Sequence, residues 1–155
     1  MKIKMMMCAL VVLFASAMVC SAQTSAHMGT WKLNEAKSKF PKDATKNQTV
    51  VYEAAGDQTK VTVDGTAGGG SAVHSEWTGK FDGKPYALTG DPAGDMRSYR
   101  VVNRRTLSLR STKGGKLTTT ATIVVSRDGK SRTVTASSKN AKGKWTSSSA
   151  FYDKQ

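Results

Sequence analysis

Beyond position 20 the chain has no cysteine; the only two are Cys8 and Cys20. No disulfide can brace the rest, and burial alone must hold it. Histidine is nearly missing too, with only His27 and His74 in 155 residues, too few to build a zinc site without thiolates. Proline occurs three times, at Pro41, Pro85 and Pro92, so nothing after Pro92 forbids long strands. Acidic residues almost vanish between Arg97 and Lys144, where 13 Lys and Arg face one acid, Asp128. No Gly-Lys step has a glycine five residues before its own glycine, which excludes a Walker-type phosphate loop. No Gly-x-Ser-x-Gly is present either, so hydrolase chemistry has no nucleophile to start from.

Long apolar runs are also lacking, apart from Met5 to Val19. Lys2 and Lys4 precede that run, and Cys20 and Ala22 put small residues at the third-last and last positions of a signal-peptidase site. About 15 apolar residues are short for a membrane span, and polar Gln23, Thr24 and Ser25 follow at once. We read 1–22 as a signal peptide cleaved after Ala22, which makes the protein periplasmic or secreted. A retained anchor is the lesser alternative, and lipidation at Cys20 is disfavoured by Val19 before it. The remaining 133 residues form one domain, 23–155, large enough to bury about two thirds of its unfolded surface. Its 22 basic and 11 acidic residues leave a formal charge of +11.

What is abundant is turn chemistry at even spacing. Lys113-Gly114-Gly115-Lys116, Arg127-Asp128-Gly129-Lys130 and Asn140-Ala141-Lys142-Gly143-Lys144 punctuate the last third, with their Gly-Lys steps 14 residues apart. Thr-, Val- and Ser-rich runs of about ten residues lie between them, each about 33 Å long if extended. Ten strands are predicted, at 29–34, 48–55, 60–64, 71–80, 85–89, 96–102, 106–112, 116–126, 131–140 and 145–152. Residues 35–47 read as a connection with at most one helical turn. Such a meander has open edges unless it closes, so the fold class is all-β: an antiparallel up-and-down barrel of about 8–10 strands, with a β-sandwich as runner-up. Ile and Leu are scarce and Thr and Ser occupy both faces, which predicts an interior that is partly polar.

Gly29-Thr30-Trp31 resembles the opening of the first strand in calycins, the superfamily of lipocalins and fatty-acid-binding proteins. The wider segment from Gly29 to Phe40 is similar to small exported bacterial proteins. The resemblance implies a barrel with Trp31 sealing one end and an apolar or amphipathic ligand inside. The fatty-acid-binding branch often carries Arg-x-Tyr in its last strand; here the triplet is Ala150-Phe151-Tyr152, so that carboxylate clamp is not implied.

Trp31, Trp77, Tyr86 and Tyr99 are the ligand-lining candidates, and Arg97, Arg100 or Arg110 the candidate grip on an anionic head group. Arg97 and Arg100 differ by an odd number of positions in one strand, so one points in and one out; the sequence does not choose. His74-Ser75-Glu76 places an imidazole and a carboxylate on one strand face, most simply a solvated one. No catalysis, metal or cofactor is expected. Arg104, Arg105, Arg127 and Lys130 fall in turns at one rim, and Lys113, Lys116, Lys142 and Lys144 at the other. Basic rims are suited to an anionic envelope surface. Nucleic acid is not an expected partner, because Tyr99 is the only aromatic in the basic half before Trp145. We expect a monomer.

Overall fold

The computed structural model describes residues 24–155; the expected signal peptide lies outside them. A short 3-10 turn (Ser25–His27) leads into β1 (Gly29–Leu33), and a second (Glu35–Lys37) follows it. Then come β2 (Lys46–Ala55), β3 (Gln58–Thr66), β4 (Ala72–Gly79), β5 (Tyr86–Thr89) and β6 (Met96–Asn103). The last four are β7 (Thr106–Lys113), β8 (Lys116–Val125), β9 (Ser131–Lys139) and β10 (Trp145–Lys154). Each strand pairs antiparallel with its neighbour in the chain, and β10 returns to β1, closing an up-and-down barrel. Closure leaves no sheet edge exposed, and it is the architecture that the calycin resemblance implies.

Alternation sets the inside and the outside. In β7, Leu107, Leu109 and Ser111 are buried between half-buried or exposed Thr106, Ser108 and Arg110. In β8, Ala121, Ile123 and Val125 repeat the pattern. The two are joined by a two-residue hairpin in which Gly114 and Gly115 both take positive φ, 55° and 76°. That geometry matches the twist of the flanking strands and is open to glycine at little cost.

Strand β3 runs past its expected end through Gly65, which pairs with Asn47 and Val73. A Cβ there would fall 2.3 Å from the Lys46 carbonyl, so this glycine allows the close approach at the irregular step between Asn47 and Thr49 in β2. After β1, the Asn34 side chain accepts a hydrogen bond from the Lys37 N–H. Lys39 then bonds Ser149 in both directions, at 2.7 and 2.9 Å, lengthening the seam along β10.

The seam at β5 is thinner, with two register pairs on each side. The segment before β5 reinforces it: Gly83 donates to the Tyr99 carbonyl at 2.8 Å, and Val101 donates to Phe81. The barrel has two unlike ends. The start of β1 and the β2–β3, β6–β7 and β8–β9 turns mark one, the plugged end. The connection after β1 and the β3–β4, β5–β6, β7–β8 and β9–β10 turns surround the other, the mouth.

Candidate functional site

Trp31, fully buried, fills the plugged end. Its indole N–H donates to the His27 carbonyl at 2.9 Å, which ties the N-terminal turn across the opening. Arg132, pointing inward from β9 and 2% exposed, sits 4.7 Å from the Trp31 ring centroid, 5.0 Å from Tyr52 and 4.9 Å from Tyr152. Among the described residues its buried Nε and Nη1 have no hydrogen-bond partner, and three π faces surround this cation. Lys154 Nζ lies 5.1 Å over the same indole. Burial, aided by Arg132 and Lys154, lowers the His27 pKa to about 4; burial pushes the Tyr152 hydroxyl up to about 12 against the pull of Arg132.

Next to this plug lies a second aromatic layer. The Trp77 and Tyr99 centroids are 4.7 Å apart, Phe81 stacks on Trp77 at 6.0 Å, and Tyr86 meets Trp77 edge-on at 5.7 Å. Trp77 donates its indole N–H to the Arg97 carbonyl at 2.8 Å. The structure thus brings Trp77, Tyr86 and Tyr99 together as a packed cluster, each pair contributing about 0.5–1.5 kcal/mol beyond its buried area. Trp31 stands apart from them at the plug.

Toward the mouth the inner wall changes character. Register aligns Ser111, Thr119, Ser138 and Thr146 as one inward row across β7–β10, and Leu109, Ala121, Ala136 and Ser148 as the next. Thr119, Ala136, Ser138, Thr146 and Ser148 face the interior and yet are only half-buried. Small side chains in that position leave the wall within reach of solvent. The connection after β1 and the β3–β4 turn border a pocket of about 620 Å³, whose walls include Phe40, Pro41 and Lys46.

Of the three candidate arginines, Arg97 is the inward one. It is 9% exposed, and its guanidinium bonds Ser111 Oγ and Asp91 Oδ2, each at 2.9 Å. The anion it requires is therefore the protein's own, from the β5–β6 turn. Arg100 and Arg110 are exposed on the outer face, so of the alternatives left open neither is the grip inside the barrel; β6 and β7 stay regular there, and parity with buried Tyr99 and Leu109 turns both outward.

Removing the carboxylate would strand the buried cation. Asp91→Ala is expected to lower stability by about 2–3 kcal/mol, less than for a fully enclosed pair because the Asp91 side chain is 20% exposed. Urea unfolding checks this. Asp91→Leu combined with Arg97→Met should recover most of the loss, whereas equal losses in the single and double variants would show that Asp91 does not compensate Arg97.

His74 lies on the outer face, its Nδ1 2.6 Å from Asp64 and its Nε2 3.7 Å from Glu76. The hydrogen bond to Asp64 raises its pKa. No group of three or more His, Cys, Asp or Glu among the described residues could hold a metal.

Arg132, with the Tyr52 and Tyr152 rings around it, and Asp91, the partner of Arg97, are residues of this interior that the sequence reading did not single out. For Arg132 a signal existed, since it shares an alternating face with Val134 and Ala136.

No family model matches the chain, and no curated protein matches it significantly. Solved structures do resemble it. One, a structure of EF1p2_mFAP2b bound to DFHBI, aligns with a TM-score of 0.54 and 13% identity over 88% of this chain and 99% of that one. Another, a redesigned β-barrel, mFAP1, bound to DFHBI, aligns with a TM-score of 0.48 and 12% identity over 86% and 98%. At such identity the first likeness shows the fold: this chain is a closed antiparallel barrel of that kind.

Proposed function

We propose that this chain is an exported, monomeric, calycin-like binding protein that holds one small apolar or amphipathic molecule in the mouth half of its barrel and does not transform it. The observation that carries the reading is the half-buried inward wall of Thr119, Ala136, Ser138, Thr146 and Ser148, facing a closed end packed with aromatics. The EF1p2_mFAP2b structure is described as bound to DFHBI, which supports a binding use of this architecture. Because Asp91 already neutralises Arg97, the wall offers hydroxyls rather than a free guanidinium. A neutral polar head group suits it better than a carboxylate. The leader pattern of Lys2, Lys4 and the apolar run supports a periplasmic or secreted site of action.

A second reading has its own support. Arg104, Arg105, Arg127 and Lys130 lie in turns at the plugged end, and Lys113, Lys116, Lys142 and Lys144 at or beside the turns of the mouth. None of the eight forms an ion pair among the described residues, whose ion pairs lie elsewhere. Such rims would adhere to an anionic envelope surface.

Native mass spectrometry with a panel of lipids and small amphiphiles, paired with tryptophan fluorescence titration, separates the two. A carrier should show one saturable, salt-tolerant site, abolished by the bulk of Ser148→Phe on the inward wall. Binding that disappears at moderate salt without any change around the tryptophans would discard the carrier and favour the rims.

A further inference from the structure

The outer wall of β6–β10 carries a feature that the interior reading does not use. Ser98, Arg110, Thr120, Ser137 and Ser147 stand in register on five adjacent strands, all pointing outward. A parallel row two residues away holds Arg100, Ser108, Thr122 and Thr135. Between the rows runs a groove of about 580 Å³, floored in part by Leu109, Ala121 and Ala136. At about 4.8 Å per strand it is about 19 Å long, and about 7 Å separate its walls. That is the shape of a track for an extended chain.

Three further observations define its chemistry. The hydroxyls of Ser98, Ser108, Thr120, Thr122 and Ser137 make no side-chain hydrogen bond among the described residues, whereas Thr118 and Thr146 nearby spend theirs on carbonyls. Strands β6, β7, β8 and β9 contain no Asp or Glu at all. Arg100 and Arg110 are exposed, without an ion pair among the described residues, and are diagonal neighbours on β6 and β7. Diagonal Cβ atoms lie about 7–8 Å apart, so two guanidiniums at that spacing can converge on one carboxylate. Beyond Ser147 on the same face of β10, Trp145 is 42% exposed, with Lys139 Nζ 5.4 Å over its ring.

We propose that this groove binds an extended acidic polysaccharide, a chain of carboxylated sugars. Free hydroxyls exchange hydrogen bonds with sugar hydroxyls along both rows, the arginine pair clamps a carboxylate at one end, and Trp145 offers a ring face at the other. A nucleic acid fits less well, because its successive bases call for a series of stacking rings, and Trp145 at the end of the groove is the one ring these rows offer. A lipid surface would want apolar anchors that these walls lack.

The test is isothermal titration of the intact protein with hexagalacturonate, against neutral maltohexaose, a ten-residue oligothymidylate and anionic phospholipid vesicles. Hexagalacturonate should bind at least about tenfold tighter than each of the other three, and Arg100→Gln with Arg110→Gln should weaken it by about tenfold or more, the loss of charge-assisted contacts. Thr120→Val with Ser137→Val should weaken it severalfold, while Lys142→Gln with Lys144→Gln at the mouth leaves it within about twofold. Ser148→Phe should not affect it, so the groove and the interior stand or fall separately. Absence of binding, equal affinity for maltohexaose, preference for the oligonucleotide or vesicles, or loss only in the mouth variant would overturn the proposal.

Discussion

Trp31→Ala is expected to destabilise the barrel by about 3–5 kcal/mol, the range for emptying a large buried aromatic site. Three losses combine there. The ring is wholly buried, so its removal opens a cavity at the plugged end. The His27 carbonyl loses the indole donor, which frees the N-terminal turn from the opening. Arg132 and Lys154, 4.7 and 5.1 Å from the ring centroid, lose a π face while Arg132 stays buried with no carboxylate paired to it among the described residues. Trp31→Phe keeps a ring under both cations and removes only the N–H and part of the volume, so it should fall between alanine and the parent. Urea unfolding with equal m-values across the three proteins measures the series. An alanine variant within about 1 kcal/mol of the parent would mean that the plug does not hold the barrel closed.

Much of the fold is legible because turn chemistry is local. The Gly-Gly, Asp-Gly and Lys-Gly steps mark reversals without reference to anything distant, and closure follows from the need to hide the edges of so long a meander. The interior is less legible, since it depends on register and on which strands meet. Whether Arg97 or Arg100 points inward cannot be read until one neighbour is fixed; once Tyr99 faces Leu109, parity settles both. Asp91 reads as turn chemistry beside Pro92, and only the β5–β6 turn folding over the mouth makes it the counterion of Arg97. Arg132 reads as one more charge beside the Arg127 to Lys130 turn. The rings that enclose it come from β1, β2 and β10, and β10 meets β1 only because the barrel closes. His27 sits just before the recognisable Gly-x-Trp step, and its burial follows from the indole of Trp31 capturing its carbonyl rather than from any pattern in its own neighbours.

Acid should loosen the same end of the barrel through His27. The imidazole is fully buried, neither ring nitrogen has a hydrogen-bond partner among the described residues, and its pKa is lowered to about 4 by burial first and then by Arg132 and Lys154. An unfolded chain takes up this proton near pH 6.5. Between pH 6.5 and about 4 the unfolded state therefore binds more protons than the folded one, and stability falls as the solution is acidified. The contribution is complete above pH 6.5, and the gap down to about 4 corresponds to about 3 kcal/mol. His74, the other histidine, acts in the opposite sense: its pKa is raised by Asp64, so what it contributes is present at low pH and lost as pH rises through that raised value. A His74→Gln background removes this opposing effect. In that background, urea unfolding from pH 7.5 to 4.5 should show a steep decline that His27→Leu flattens, while the two proteins differ little at pH 7.5. Leucine keeps the backbone carbonyl that Trp31 bonds and introduces no unpaired nitrogen, so near pH 7.5 the variant should be at least as stable as its parent. Parallel pH profiles for the two would show that His27 takes up its proton without resistance from Arg132, Lys154 and the closed wall around Trp31.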